Sequence, residues 1–214
     1  MIKLKTPFAF LLGVALLVSC GPKESSTPED TATTPVETAD VSAVTSGKYK
    51  IKSGIVNFEV EMLGTKTKKV LYFDDYGSKE RSEEYNPDGT LKEYKISDGK
   101  TRYTVIPSAN MAYLADHNGN IGWEMQFMPW ESITQQKDYE KTYTKVDNMM
   151  LAGKDCEAYK YSGSNTFAGW NGVTLYQSQE SLFTMTANSI EENAEVAADM
   201  FTVPAGFEVK EVKF

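Results

Sequence analysis

From Tyr49 onward the dominant hydrophobic period of the chain is two residues, which is typical of β-strands with one buried face. The clearest run alternates apolar Val56, Phe58, Val60 and Met62 with polar Asn57, Glu59 and Glu61. Strands of this kind bury their apolar face only when they pair into a sheet. The chain is therefore expected to be mainly β.

Turn-forming sequences divide the chain into about eleven expected strands. Asn86-Pro87-Asp88-Gly89 is the strongest of these turns, because proline fixes one φ angle and glycine accepts a positive one. The expected strands are residues 56–62, 69–73, 78–85, the short run between 89 and 97, 101–106, 110–115, 141–151, 156–162, 173–178, 182–190 and 207–213. The almost wholly polar run 78–85 is expected at a sheet edge or with both faces in water.

Two segments show a helical spacing of apolar residues. Trp123, Phe127 and Trp130 recur at four and three residues, and Pro129 favours a helix start, which predicts a short helix over 129–137. A second short helix is predicted over about 196–200. The run 162–172 is rich in Gly, Ser and Asn and is expected to be a long loop carrying Phe167 and Trp170.

An antiparallel sheet of this size tends to curl. The predicted fold is thus a curled antiparallel sheet forming an incomplete β-barrel, with the short helices on its concave side. Residues 48–214 would form this single domain. In it, Cys156 and Ala158 are expected to face inward, the thiol acting as a small apolar group.

The N-terminal residues constrain location rather than fold. Lys3 and Lys5 precede an apolar run over 8–18, which matches a secretory signal peptide and is too short for a membrane span, for which about 20 residues are needed. Leu17-Val18-Ser19-Cys20 resembles a lipobox, so residues 1–19 are expected to be removed and Cys20 to be lipidated. Cleavage by ordinary signal peptidase, leaving Cys20 a plain thiol, is the alternative.

Residues 20–47 are expected to be a flexible tether behind the lipidated cysteine. Residues 21–47 contain no aromatic residue and are dominated by Ser, Thr, Pro, Glu and Asp. As a random coil this stretch would span roughly 30 Å. Loss of Lys3 and Lys5 leaves 20 basic against 30 acidic residues, a net charge of −10, which excludes nucleic acid as a partner.

Residues suited to catalysis are scarce. The chain has one histidine, His117, in the turn-forming run Asp116-His117-Asn118-Gly119-Asn120, and no Gly-x-Ser-x-Gly elbow or phosphate-binding glycine loop. Adjacent carboxylates such as Glu83-Glu84 point to opposite faces of a strand and are expected to be solvated. We therefore expect no enzymatic activity, no metal site and no cofactor.

Four motifs together resemble a known group of proteins. They are Tyr72-Phe73-Asp74-Asp75-Tyr76-Gly77, Ala152-Gly153-Lys154-Asp155-Cys156, Trp170-Asn171-Gly172-Val173-Thr174-Leu175 and Phe201-Thr202-Val203-Pro204-Ala205-Gly206-Phe207. In their order and spacing they resemble uncharacterised Bacteroidetes-type envelope lipoproteins, which are similar to the outer-membrane lipoprotein carrier and receptor superfamily, LolA and LolB. The resemblance implies a half-barrel whose hydrophobic cavity shelters acyl chains, at the outer membrane. It carries over no functional residue, because no position matches the carrier's cavity arginine or the receptor's protruding leucine loop.

The residues themselves suggest where a hydrophobic ligand would bind. Methionines and aromatic residues concentrate around the predicted helix, and methionine suits apolar surfaces that accept variable shapes. The candidate ligand-binding residues are Trp123, Met125, Phe127, Met128, Trp130, Met149 and Met150. Alternatively, they fill an irregular core. A competing function is surface contact with a glycan or protein through an exposed aromatic platform of Tyr161, Trp170 and Tyr176.

Replacement Cys20→Ala should move the protein from the membrane fraction to the soluble fraction. Each buried methylene of a cysteine-linked acyl chain contributes about 0.8 kcal/mol, so several chains hold more firmly than any surface contact of an acidic domain. Fractionation and immunoblotting measure the change. Full membrane retention of the variant would contradict lipidation at Cys20.

Overall fold

The computed structural model describes residues 47–115, 143–161, 165–180 and 182–212. The predicted signal peptide, the lipidation site Cys20, residues 20–46 of the expected tether and the helix predicted over 129–137 lie outside these residues. The described part begins at Gly47, where an added Cβ would clash with Cβ of Tyr76. Gly47, predicted to end the tether, therefore already contacts the domain.

The described residues form one sheet of twelve strands. The strands are β1 Gly54–Met62, β2 Thr65–Asp74, β3 Lys79–Tyr85, β4 Leu91–Ser97, β5 Arg102–Ile106, β6 Met111–Ala115, β7 Tyr143–Leu151, β8 Lys154–Tyr161, β9 Asn165–Trp170, β10 Val173–Gln179, β11 Phe183–Glu192 and β12 Glu208–Val212. Their order is β12-β6-β5-β4-β3-β2-β1-β11-β10-β9-β8-β7. The sheet is open and curled, so the predicted mainly β, incomplete-barrel architecture is confirmed.

Helical structure in the described residues is limited to three 3-10 turns at Asp75–Gly77, Pro107–Ala109 and Ala198–Phe201. The last of these corresponds to the short helix predicted over 196–200. Among the described residues, no helix is long and apolar enough to cross a membrane.

One half of the sheet rolls around the larger apolar core. Val56 and Phe58 of β1 and Leu71 and Phe73 of β2 belong to the same buried cluster as residues of the distant strands β7 to β10. The members from those strands are Leu151, Cys156, Ala158, Ala168, Val173 and Leu175. Strand β7, at the end of the sheet, also contacts β11. The expected inward positions of Cys156 and Ala158 are confirmed, since both are fully buried.

A smaller apolar cluster lies on the opposite face of the other half. Tyr94, Val105 and Ala112 are directly opposite one another across β4, β5 and β6, and they are buried with Ile96. Val203 and Phe207, from the segment that leads to β12, pack on this cluster. The C-terminal segment therefore covers one face of β4 to β6 before β12 pairs in parallel with β6.

Two sequence-based predictions about individual strands are wrong. The predicted loop over 162–172 contains strand β9, in which Phe167, Ala168 and Gly169 are all buried, so no two-residue alternation marks it. The polar run 78–85 was expected at an edge or in water, but β3 lies inside the sheet between β2 and β4. Its polar side chains Glu80, Ser82 and Glu83 are buried.

Residues 47–53 connect the turn after β2 to the β9–β10 turn without forming a strand. The amide of Tyr49 donates to the Tyr76 carbonyl at 2.9 Å, and the amide of Lys50 donates to the Asn171 carbonyl at 2.9 Å. Tyr49 is buried, and its ring meets Phe73 edge-on at 4.7 Å between centroids. The close approach requires glycine at Gly172, where a Cβ would lie 2.6 Å from the Lys48 carbonyl oxygen.

Replacement Gly172→Ala should therefore destabilise the domain more than Gly64→Ala. The two glycines have similar φ angles, +84° and +80°, but a Cβ at Gly64 meets nothing within 4 Å. The left-handed backbone alone costs an alanine about 1 kcal/mol, which is the effect expected at Gly64. Gly172→Ala adds the clash with fixed backbone. Urea unfolding measures the free energy of unfolding of both variants. Equal losses would show that residues 47–49 do not pack closely against the turn at Gly172.

Candidate functional site

A row of charged and polar side chains crosses the sheet beside the larger core, and we call it the polar row. Its members are Lys69 on β2, Glu80, Ser82 and Glu84 on β3, and Glu93 and Lys95 on β4. Strand register places them all on one face.

This face is the one that β1 and β2 turn towards the larger core. Val56 is opposite Leu71, which is opposite Ser82, which is opposite Lys95. In the next register position on this face, Phe58 is opposite Lys69, Lys69 is opposite Glu84, and Glu84 is opposite Glu93. The apolar surface of β1 and β2 thus passes directly into the polar row.

Of the two lysines of the row, Lys69 is buried and Lys95 is partly buried. Lys69 is 5% exposed, and its Nζ lies 3.3 Å from Oε1 of Glu84. Burial lowers the pKa of Lys69 to about 8 despite the neighbouring carboxylate of Glu84, and the charge of Lys95 lowers it further. Burial also lowers the pKa of Lys95, whose Nζ lies 3.8 Å from Oε1 of Glu93. The row therefore holds cationic groups where the surroundings disfavour charge.

Ser82 is the member of the polar row whose side chain lacks a hydrogen-bond partner. This side chain is 3% exposed. A buried hydroxyl without a partner costs about 1–3 kcal/mol, and alanine would fit the same space. The hydroxyl lies between Leu71 and Lys95 in register.

Glu80, at one end of the row, has a structural role. Its carboxylate accepts hydrogen bonds from the Lys48 ammonium at 2.7 and 2.8 Å and from the Tyr49 hydroxyl. Burial and the Glu80 charge raise the pKa of Tyr49 well above its ordinary value, so this phenol stays neutral. Glu80 thereby fastens residues 47–53 to β3.

The opposite face of β3 carries a second buried ionic group, centred on Glu83. The Arg81 guanidinium donates to Glu83 at 2.8 Å and to the Met200 carbonyl at 3.4 Å, and it lies 3.7 Å from the centre of the Tyr94 ring. The Tyr85 hydroxyl donates to Glu83 at 2.6 Å. The prediction that Glu83 is solvated is wrong, because these donors stabilise its charge inside the fold. This group fixes the C-terminal segment to the sheet.

The structure describes two of the seven residues predicted to bind a ligand. Trp123, Met125, Phe127, Met128 and Trp130 lie outside the described residues, as does His117. Met149 is half-buried and packs against the larger core, whereas the neighbouring Met150 is 71% exposed. Alternation along β7 thus separates these two methionines.

The three aromatic residues predicted to form an exposed platform do not share one environment. Trp170 and Tyr176 are partly buried and pack against the larger core. Tyr161 is 37% exposed and pairs with the buried Tyr143 at 5.2 Å between ring centroids. The Lys154 ammonium lies 4.5 Å from the centre of the Trp170 ring, so that face of the indole is occupied.

A shallow groove lies at the tips of the β1–β2 and β10–β11 hairpins. It encloses about 200 Å³ and is lined by Glu61, Leu63, Gly64, Glu180, Leu182, Phe183 and Thr184. Sites for drug-sized ligands enclose about 300–1,000 Å³, so this groove is too small to shelter an acyl chain. Within the described ranges no group of His, Cys, Asp and Glu residues is arranged to hold a metal ion.

Comparison with known proteins shows the fold and no family. No protein-family model and no curated protein matches the chain. An uncharacterised conserved protein from Thermus thermophilus is similar in structure, with a TM-score of 0.54 and 9% identity over 76% of this chain and 92% of that one. At that identity the likeness shows a shared fold alone.

Structures of MucB are also similar to the chain. MucB itself has a TM-score of 0.48 and 12% identity, over 77% of this chain and 62% of MucB. The MucA/MucB complex of Pseudomonas aeruginosa has a TM-score of 0.44 and 14% identity, over 77% of this chain and 60% of that one. The chain thus spans about three fifths of these MucB chains.

The polar row was missed by the sequence analysis although one signal was present. Lys69 is in phase with Leu71 and Phe73, so the alternation of β2 places it on the buried face. Ser82 and Lys95 gave no such signal, because the polar sequence of β3 concealed its position inside the sheet.

The lowered pKa of Lys69 should make stability rise with pH between about 8 and 9.5. In this range the folded lysine loses its proton while the unfolded one, with its ordinary value of 10.5, keeps it. Unfolding then takes up a proton, and the free energy of unfolding increases by up to about 1.4 kcal/mol per pH unit. Urea unfolding at several pH values measures this. Lys69→Met should lack the increase, and an identical slope in both proteins would contradict burial of Lys69.

Proposed function

We propose that the protein is a lipid-anchored envelope protein that binds a hydrophobic, acyl-bearing ligand against the inner face of its curled sheet. It would act without catalysis, as a holder or carrier in lipid or lipoprotein handling. Cys20 supplies the anchor, and residues 21–46 let the domain reach ligands near the membrane. The outer membrane, with the domain facing the periplasm or the cell surface, is the location proposed.

The observation that supports this proposal is the open, rolled sheet with an apolar inner face. A sheet that curls without closing leaves an opening at the border of its interior. In this protein the apolar inner face of β1 and β2 is packed inside the core, and the half-buried Val60 and Met149 lie at the border of that core. Burying several hundred Å² of an acyl chain at roughly 25 cal/mol per Å² provides enough gross energy for micromolar binding after the entropic cost.

The competing function, glycan or protein contact through an aromatic platform, has less support. It required exposure of Trp170, on the expected loop, and of Tyr176, whereas both pack against the larger core and Trp170 belongs to β9. A flat, exposed ring face is what aromatic recognition of a sugar needs.

Ligand binding should be measurable with the full mature chain, extracted from membranes in mild detergent. Mass spectrometry should detect an acyl-bearing molecule that co-purifies, and a fluorescent fatty acid should bind saturably. Met149→Lys should weaken probe binding at least fivefold, because it places a charge beside the apolar core. Met150→Lys serves as the matched control and should leave binding unchanged, since this side chain already faces water.

Met149→Leu keeps the site apolar and should retain binding, which separates loss of the site from loss of the fold. Circular dichroism must show that both charged variants remain folded, because a buried charge also destabilises. A wild-type protein that carries no lipid and binds no probe would contradict the proposed function.

A further inference from the structure

We propose that the groove at the tips of the β1–β2 and β10–β11 hairpins binds a partner polypeptide through one basic side chain that has apolar residues on either side of it. The basic side chain enters between the carboxylates of Glu61 and Glu180, and the apolar residues pack on Leu63 and Leu182. This inference does not depend on the proposed ligand, since the groove is not lined by the residues at the border of the larger core.

The size and lining of the groove suit a single side chain of a partner. Its volume of about 200 Å³ is below that of a pocket for a drug-sized ligand. Pockets within protein interfaces commonly accept one anchor residue, and arginine is among the residues most often found there. Two carboxylates, those of Glu61 and Glu180, line the groove, and no basic residue does. The charge of the groove therefore complements a cationic anchor.

Both carboxylates remain available to an incoming cation. Glu180 is exposed, and none of the described residues forms an ion pair with it. Glu61 lies 3.9 Å from Nζ of Lys66, but this ammonium lies closer to Glu59, at 2.8 Å. Exposed pairs of this kind contribute little, so a partner's guanidinium competes with Lys66 at small cost. Its planar fork of N–H donors matches a carboxylate.

Exposed apolar side chains surround the anionic groove. Met62, Leu63 and Leu182 are 56%, 73% and 50% exposed, and they make up half of the large apolar side chains exposed in the described ranges. Met62 is directly opposite Phe183, which lines the groove. Single exposed apolar residues are ordinary, but three at two adjoining turns mark a contact surface. A polypeptide that carries apolar residues beside its basic one covers this surface, whereas a small free cation does not.

The backbone at the tips disfavours the residues that occupy them. Leu63 and Gly64, which connect β1 to β2, both have positive φ angles, +49° and +80°. Asn-Gly is preferred in such a turn, and the β9–β10 turn has Asn171-Gly172. Glu180 also has a positive φ, +40°. Leucine and glutamate are thus held exposed in a conformation that folding alone would assign to other residues, which is typical of functional positions.

The two hairpin tips are joined before any partner binds. The amide of Leu63 donates to the carbonyl of Leu182 at 3.0 Å. Strands β1 and β11 also pair as far as Met62 and Phe183, next to the groove. Because the groove is already formed, little conformational entropy is lost in it on binding.

The test uses the full mature chain and two fluorescein-labelled peptides. One is Gly-Ser-Leu-Arg-Leu-Ser-Gly, and the other has citrulline, which is uncharged and of the same shape, in place of arginine. Fluorescence polarisation should show saturable binding of the arginine peptide, about fivefold tighter than that of the citrulline peptide. Glu180→Gln should abolish this preference. Glu195→Gln is the matched control, because it makes the same change of net charge at an exposed residue outside the groove, and it should retain the preference.

Leu63→Asn tests the apolar part of the surface without threatening the fold. It should weaken binding of the arginine peptide about threefold and raise the thermal midpoint, because asparagine accepts a positive φ more readily than leucine does. Met150→Asn removes an equally exposed apolar side chain from β7, 71% against 73%, and should leave binding unchanged. The raised midpoint of Leu63→Asn distinguishes loss of the contact from loss of the fold.

Three outcomes overturn the tip site. They are the absence of saturable binding of the arginine peptide to the wild type, equal affinity for the two peptides, and an unchanged preference in Glu180→Gln. None of them affects the proposed function, which is measured with the fatty acid probe and with Met149→Lys.

Discussion

The structure depends on the strand register from β1 to β6, because register decides which side chains share a face. Across these strands, Val56, Leu71, Ser82 and Lys95 follow one another on one face, while Tyr94 belongs to the opposite one. The apolar face of the sheet therefore changes sides between β2 and β4. A one-residue shift of any pair would exchange buried apolar and exposed polar groups along the whole row.

Because the apolar face changes sides, apolar side chains must be covered on both faces of the sheet. The rolled strands β7 to β11 cover the apolar face of β1 and β2, and the C-terminal segment covers that of β4 to β6. Strand β3 lies where the two coverings meet, and it carries buried ionic groups on both sides, Glu80 on one and Arg81 with Glu83 on the other. Glu80 fastens residues 47–53 to the sheet, and Arg81 fastens the C-terminal segment through the Met200 carbonyl.

The same change of the apolar face between β2 and β4 limits how far the sequence predicts this structure. Strands with one wet face show a two-residue period, and β1, β2 and β11 were predicted on that basis. Strand β9 has consecutive buried residues and no period, and the polar sequence of β3 is that of an edge strand, so neither could be placed correctly. The parallel pairing of β12 with β6 could not be predicted either. Hydrophobic periodicity and turn residues describe local structure and do not show which distant strands pair.

The candidate site was predicted only in part for a related reason. Apolar clustering identified Met149, which packs at the core border, but the polar row beside the core consists of polar groups that tertiary structure buries. The position of Lys69 could be read from its phase with Leu71 and Phe73, whereas Ser82 and Lys95 become neighbours of the apolar wall only through the pairing of three strands. A sequence indicates that a polar residue is buried only when apolar residues two positions away lie on the same face of its strand.

The position of β12 has a consequence for the order of folding. The chain leaves β11 near the middle of the sheet and reaches the free edge of β6 only with residues 208–212. Until the segment that ends in β12 is in place, the backbone groups of β6 and the apolar surface of Tyr94, Ile96 and Val105 remain uncovered. Such an edge templates pairing with other chains. A chain in which residues 208–212 have not yet paired with β6 is therefore prone to aggregate, and deletion of these residues would make that vulnerable state permanent.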